Sequence, residues 1–191
     1  YTGQAQAWPQ IPRTWAPYVL RLIADEVICG FGRTGRTFGC ETYGIEPDIM
    51  TLSKALSSSY LPISALLIND RVYQPVADES SQIGTFGHGY TASGHPVAAA
   101  VALENLAIIE ERGLMEHAAE MAPYFQARLS TLLDHPLVGE VRGVGLIAAV
   151  ELVTDKAAKT SVQPAGALAA KAFGFIQANG VISRAIGDAL A

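Results

Sequence analysis

Two residues in the first third of the chain could do chemistry as a pair. Asp25 closes the apolar run Leu22-Ile23-Ala24, and Lys54 follows the second apolar run Ile49–Leu52 by way of Ser53. A lysine delivered to the end of a buried strand is costly to keep charged. Desolvation favours the neutral amine, which is a nucleophile toward carbonyls; the plainer outcome is a side chain that snorkels to water. An aspartate at a strand end can meet a cationic ring nitrogen, a metal or a ribose hydroxyl, or it can simply cap a turn. In open α/β sheets the crevice outside the carboxyl ends of the strands is where ligands bind. An acid and an amine on neighbouring strand ends there are what pyridoxal phosphate requires. The lysine forms the Schiff base, and the carboxylate keeps the ring nitrogen protonated so that the ring can act as an electron sink. Val27, two residues after Asp25, shares its side of an extended chain and could pack on a flat ring.

Several elements must position that pair. Tyr18 to Ala24 and Ile49 to Leu52 read as short buried strands, and Ile63 to Ile68 as a third. Gly30 to Gly44 reads as a loop. Its glycines Gly30, Gly32 and Gly35 permit sharp turns, Arg33 braces it, and Glu26 supports the site without being a catalyst. A short helix is predicted over Arg71 to Val76, and Ser80 to Gly94 is rich in Gly, Ser and Thr. His95-Pro96 opens a long helix, because proline suits the first helical turn. Leu114 to Leu133 follows as a second, with Leu114, Ala118, Met121, Phe125, Leu129 and Leu132 on one face. Val138 to Val144 and Leu146 to Leu152 read as a hairpin. Gly166 to Asn179 reads as a helix ended by Asn179-Gly180, and Val181 to Ser183 as a further strand. The expected fold class is α/β: a partial large domain with a mostly parallel sheet over 18–112, and part of a small α+β C-terminal domain over 113–191. Residues 1–17 hold Pro9, Pro12 and Pro17 without a period and read as an irregular N-terminal segment.

Composition narrows the classes. Half of the 191 residues are hydrophobic, which allows a sizeable core, and only 16% are charged, which suggests that surface is hidden in an interface. The formal charge of −5 and the lack of a Lys/Arg cluster argue against nucleic acid. His88, His95, His117 and His135 are scattered and form no metal set. Cys29 and Cys40 are too few for a disulfide framework, which with the lack of a leader pattern suggests a reducing cytoplasm. No apolar run is long enough to span a membrane.

The segments DEVICGFGRTG, PDIMTLSKAL and GHGYTASGHPVAAAVAL, in this order and spacing, closely resemble the class III aminotransferases of pyridoxal-phosphate fold type I. The resemblance runs from about Leu22 to Asp188, and SSSYLPISALLI after the lysine is most similar to the ω-amino acid:pyruvate (amine:pyruvate) transaminases. It implies amino-group transfer from an amine or ω-amino acid to a keto acid such as pyruvate. It implies that Asp25 binds the pyridinium nitrogen, Val27 covers a ring face and Lys54 is the Schiff-base lysine and proton shuttle. Thr91 would reach the cofactor phosphate of the neighbouring subunit, which makes a homodimer or dimer of dimers the expected assembly. Arg184, in VISRAIGD, would swing in to bind the keto acid carboxylate through a bidentate fork; without the resemblance it reads as a surface arginine. A glutamate-1-semialdehyde aminomutase or a decarboxylating aminotransferase shares this cofactor class.

The same resemblance makes this chain an expected fragment, without the family's N-terminal portion and its last segments. QAQAWPQIPRTWAP departs from the amphipathic helix the family has before the first strand, as an altered junction or frameshift would produce. A sheet without its partner strands leaves open edges and apolar faces. This piece alone is expected to bind pyridoxal phosphate weakly or not at all, and a truncated, non-catalytic remnant is the alternative of another class.

Overall fold

The structure is a computed structural model that describes residues 21–158 and 160–191. The irregular segment expected over 1–17 and the start of the strand expected from Tyr18 lie outside the described residues. By contacts the chain divides into two compact units, one reaching His117 and one starting at Ala118.

In the first unit, three apolar stretches form a sheet of order β1 (Ile23–Asp25), β2 (Ile49–Leu52), β3 (Ala65–Ile68). β1 and β2 run parallel, with Asp25 opposite Thr51. β3 returns antiparallel, with Ala65 opposite Leu52. The returning link is 53–64, too compact for a crossover helix, so the chain turns back beside the strand it has just left. Asp48 ties the other end of the sheet. Its carboxylate accepts from the Leu22 amide at 2.8 Å and from Asn69 Nδ2 at 3.0 Å, and Arg71 stands 3.6 Å away. The Leu22 bond foremost, then that of Asn69, holds this carboxyl below its ordinary range; burial opposes the shift, and Arg71 and Arg21 add to it.

The loop expected over Gly30 to Gly44 contains a one-turn helix, α1 (Gly39–Thr42). Its first amides are taken by the buried Glu26 carboxylate, from Gly39 at 2.8 Å and from Cys40 at 2.6 Å. A side chain at Gly39 would strike Cys29 Cβ and Glu26, so the close approach needs glycine. α2 (Asp70–Ile83) is longer than the expected Arg71 to Val76. Asn69 caps its start by accepting from the Val72 amide, and Gly84 ends it in the left-handed region. Pro75 sits inside this helix and denies the Arg71 carbonyl its helical donor; the Arg21 guanidinium donates to that carbonyl instead, at 3.3 Å. α3 (Pro96–Glu111) starts as expected, with His95 Nδ1 accepting from the Ala98 amide and Pro96 in the first turn. It buries Ala98, Ala102 and Ile109.

α4 (Leu114–Ser130) continues into a short 3-10 turn, Thr131–Asp134. In the second unit, β4 (Val138–Val144) and β5 (Ile147–Leu152) form the expected hairpin. Gly143 is required there, because a Cβ would meet Ile147 O, Gln126 Oε1 and Ala148 Cβ. α5 (Ala167–Ala178) packs Ala169 against Val138, Val150 and Leu152, and this is the unit's core. The strand expected at Val181 to Ser183 is displaced. The pairing residues are β6 (Ala185–Ile186) and β7 (Ala189–Leu190), which give the sheet order β4-β5-β7-β6. The reason is the turn: Gly187 adopts φ 58° and folds the chain into a hairpin where the pattern alone suggests one strand.

Candidate active site

The site grows from the parallel pairing of β1 and β2, which brings two carboxyl strand ends side by side. Asp25 Oδ1 accepts from Thr51 Oγ1 and from the Val27 amide, both at 3.2 Å. No hydrogen bond occupies Oδ2 among the described residues. The carboxylate is thus fixed by one oxygen and open at the other, which suits a cationic N–H donor. Below it, the Glu26 amide donates to Thr51 O at 3.1 Å and continues the ladder. Val27 is half-buried, but it opens a turn and does not extend the strand. The amide bond to Oδ1, not strand alternation, is what ties it to Asp25.

Lys54 stands three residues past Thr51, at the head of the 3-10 turn Lys54–Leu56. Its φ is +45°, and Ser58 and Ser59 follow at +49° and +61°. Such conformations are uncommon outside glycine and persist only where the surroundings over-determine them. The Lys54 carbonyl accepts from the amides of Ser57 and Ser59 at 3.2 and 3.3 Å. Ser57, buried, donates to Leu61 O at 2.7 Å, and Ser53 Oγ donates to Ile63 O at 3.2 Å. The side chain of Lys54 is exposed, not desolvated as its place after an apolar strand suggests, because the left-handed turn carries it away from the one buried residue of β2, Leu52. Its ammonium has no hydrogen-bond or ion-pair partner among the described residues. It borders a cleft of about 260 Å³ with Ser53, Ser57, Ser59, Leu61, Pro62 and Ile63.

The other expected residues are dispersed. Thr91 is exposed in a turn closed by Ser93, whose amide donates to Tyr90 O at 2.9 Å while its hydroxyl accepts from the Tyr90 amide. The segment around it stacks Phe86, His88 and Tyr90 edge to face. Arg184 belongs to the second unit. Its backbone pairs with Ala191 in both directions, at 2.8 and 2.9 Å, and its exposed guanidinium meets no carboxylate among the described residues. Burial, followed by the Glu26 carboxylate, pushes the Cys40 thiol up to about 11 and raises Cys29 as well, so both stay protonated at neutral pH. No cluster of metal-binding side chains occurs among the described residues, and no helix there is long and apolar enough to cross a membrane.

Two supporting residues escape a reading of the sequence. Thr51 holds Asp25, and its signal is a lone hydroxyl in the apolar strand IMTL. Asn105 reaches the Lys54 turn from α3, and its signal is an amide beside Glu104 in the otherwise apolar AVALENLAII.

Solved structures share this arrangement of elements. A transaminase solved with L-alanine superposes with a TM-score of 0.93 and 66% identity, over 96% of this chain and 43% of that one. An omega transaminase from Pseudomonas jessenii, in complex with PMP, gives 0.92 and 57% over 96% of this chain and 40% of its own. The fold is that of the fold type I pyridoxal-phosphate transaminases. The family model for class-III aminotransferases matches residues 17–191, and the chain belongs to that family. Putrescine–pyruvate aminotransferase of Pseudomonas aeruginosa is 47% identical over 185 residues, which is 96% of this chain and 39% of that protein. A chloroplastic gamma aminobutyrate transaminase of Solanum lycopersicum is 44% identical over 171 residues, or 90% of this chain and 33% of its own. The chain spans about two-fifths or less of the length of these relatives.

Proposed function

We propose that this chain carries the cofactor-anchoring part of an aminotransferase that moves an amino group from an amine or ω-amino acid to pyruvate or a similar keto acid. The observation that carries the reading is the paired strand ends: a carboxylate held by one oxygen beside a lysine held in a left-handed turn. The residues fit pyridoxal phosphate. Asp25 Oδ2 is open for the ring N–H, Lys54 Nζ is free to hold the aldehyde carbon, and Val27, bonded through its amide to Asp25, would cover a ring face. When bound, the cofactor supplies the electron sink that makes the amine's C–H acidic. Asp25 keeps the ring nitrogen protonated. Lys54 Nζ would hold the cofactor's aldehyde carbon and, when free, would be the base that takes the proton from the donor amine's carbon.

Arg184 supplies a two-pronged donor for the keto acid carboxylate. Thr91 offers a hydroxyl to the cofactor phosphate across a homodimer or a dimer of dimers. Residues 18–112 read as part of the large domain and 113–191 as part of the small one. Pyruvate as acceptor draws support from the putrescine–pyruvate relative and from the transaminase solved with L-alanine, the amino acid that pyruvate becomes. Two free cysteines suit a reducing compartment such as the cytoplasm.

The test is made on the intact enzyme that contains this chain. Borohydride reduction in the presence of pyridoxal phosphate attaches the pyridoxyl mass to the peptide bearing Lys54. Lys54→Ala loses that label, and amine-dependent formation of alanine from pyruvate falls on the order of 10⁴-fold. A label on another residue, or an active Lys54→Ala variant, sinks the reading. Failure of alanine to convert the wild-type cofactor to its amine form would exclude pyruvate as the acceptor.

A further inference from the structure

The Lys54 turn is built from conformations that its residues disfavour, so something must hold it. Lys54, Ser58 and Ser59 are all left-handed and none is glycine. The turn's own serines account for part of the restraint. From outside it, one side chain reaches its backbone. Asn105, half-buried midway along α3, donates through Nδ2 to Ala55 O at 2.7 Å and to Leu56 O at 3.2 Å. Its Oδ1 accepts from Ser58 Oγ at 2.7 Å. Both amide protons are spent on the two carbonyls directly after Lys54, and the oxygen is spent on a left-handed residue downstream. One amide therefore grips the turn on both sides of its bend. No other helix makes a side-chain hydrogen bond to residues 54–58 among the described residues.

We infer that Asn105 is a positioning residue for Lys54: it fixes the left-handed turn, and so the direction from which the lysine nitrogen meets its carbonyl partner. The inference rests on the role proposed for Lys54. Asn105 touches neither cofactor nor substrate; it acts through the backbone of Ala55 and Leu56. Asparagine is required because the task needs two N–H donors and one acceptor on a short planar group. Aspartate has the same shape, keeps the acceptor for Ser58 and loses both donors, so it sets a carboxylate against two carbonyl oxygens.

The experiment compares the wild-type holoenzyme with Asn105→Asp, Asn105→Ala and Ser58→Ala. The pH titration of the cofactor's visible band reads the environment of the lysine nitrogen independently of turnover. Asn105→Asp is expected to move that midpoint by about half a unit or more, and to lower kcat by roughly 10- to 100-fold while KM for the amine changes less than about threefold, as misplacement of a reacting group does. Ser58→Ala, which leaves both carbonyl contacts in place, moves both readouts less. A folded Asn105→Asp variant with wild-type midpoint and kcat overturns the inference; if that variant does not fold, Asn105→Ala decides by the same criterion. Borohydride trapping of the wild type separates the two levels. Trapping at Lys54 with unaltered variants removes the positioning role alone, whereas trapping elsewhere removes the role of Lys54 and the inference with it.

Discussion

Residues 53–64 and 84–95 look alike in the sequence, as polar links rich in serine or glycine, and they differ sharply in the structure. The first is clamped. Leu56 and Ser57 are buried, Ser53 and Ser57 bond across the link, and Asn105 reaches in from a helix. The second is exposed at every position, and its side-chain hydrogen bonds are local, between Tyr90 and Ser93 and at His95. The link that carries Lys54 finds its restraints within its own unit. The link that carries Thr91 shows no such restraints among the described residues. This matches the division of labour proposed above: the electronic poles of the cofactor belong to this subunit, and the hydroxyl of Thr91 belongs to a site shared with another.

Substitutions can break that comparison. Beyond loss of Lys54 itself, Asp25→Asn should have the largest effect. It retains the size of the side chain and removes the charge that keeps a ring nitrogen protonated, so kcat should fall on the order of 10²- to 10³-fold in the intact enzyme. Steady-state kinetics with a saturating amine check it, and a loss below about threefold would deny Asp25 its role. Thr91→Val should act more gently. Loss of one hydroxyl contact to a phosphate weakens cofactor retention by about tenfold with little change in kcat at saturating cofactor. Dialysis and reconstitution read this directly. If the shared-site reading is right, a mixed dimer of Thr91→Val and Lys54→Ala chains regains one intact site; no recovery on mixing would place Thr91 in the same site as its own Lys54.

The smallest effect concerns stability at the far end of the sheet. The Asp48 carboxyl lies below its ordinary value because the Leu22 amide and Asn69 donate to its charged form. A group depressed in the folded state stabilises above its unfolded value, near pH 4, and loses that contribution as pH falls through the lower folded value. Asp48→Asn should therefore lower the urea midpoint at pH 7, and the gap from wild type should narrow below about pH 4. A gap that is constant from pH 7 to pH 3 would show that charge at Asp48 has no part in joining the strands.

Much of this is legible in the sequence itself. Short apolar runs bounded by turn residues locate β1, β2 and the β4–β5 hairpin, and His95-Pro96 marks the start of α3, because those signals are local and chemically specific. The strand ends at Asp25 and Lys54 follow from the same runs. What was not legible depends on partners far away in sequence. The one-turn helix at Gly39 exists because Glu26 accepts its amides. α2 passes through Pro75 because the orphaned carbonyl finds Arg21. The hairpin near the end turns on a left-handed Gly187, which a short apolar pattern does not announce. In the site, Thr51 and Asn105 carry little local signal: Thr51 is a lone hydroxyl in an apolar strand, and Asn105 follows Glu104 on a helix, where a polar pair reads as a solvated face.

Asp25 is held by Thr51, and Lys54 lies on the same strand's continuation, so the interval between the acid and the amine is set largely by β2 and the turn that follows it. That makes the interval heritable as a unit. A lineage can remodel distant surfaces while the span between acid and amine passes on unchanged, and an engineer has the same licence away from that strand, its turn and the Asn105 that holds it.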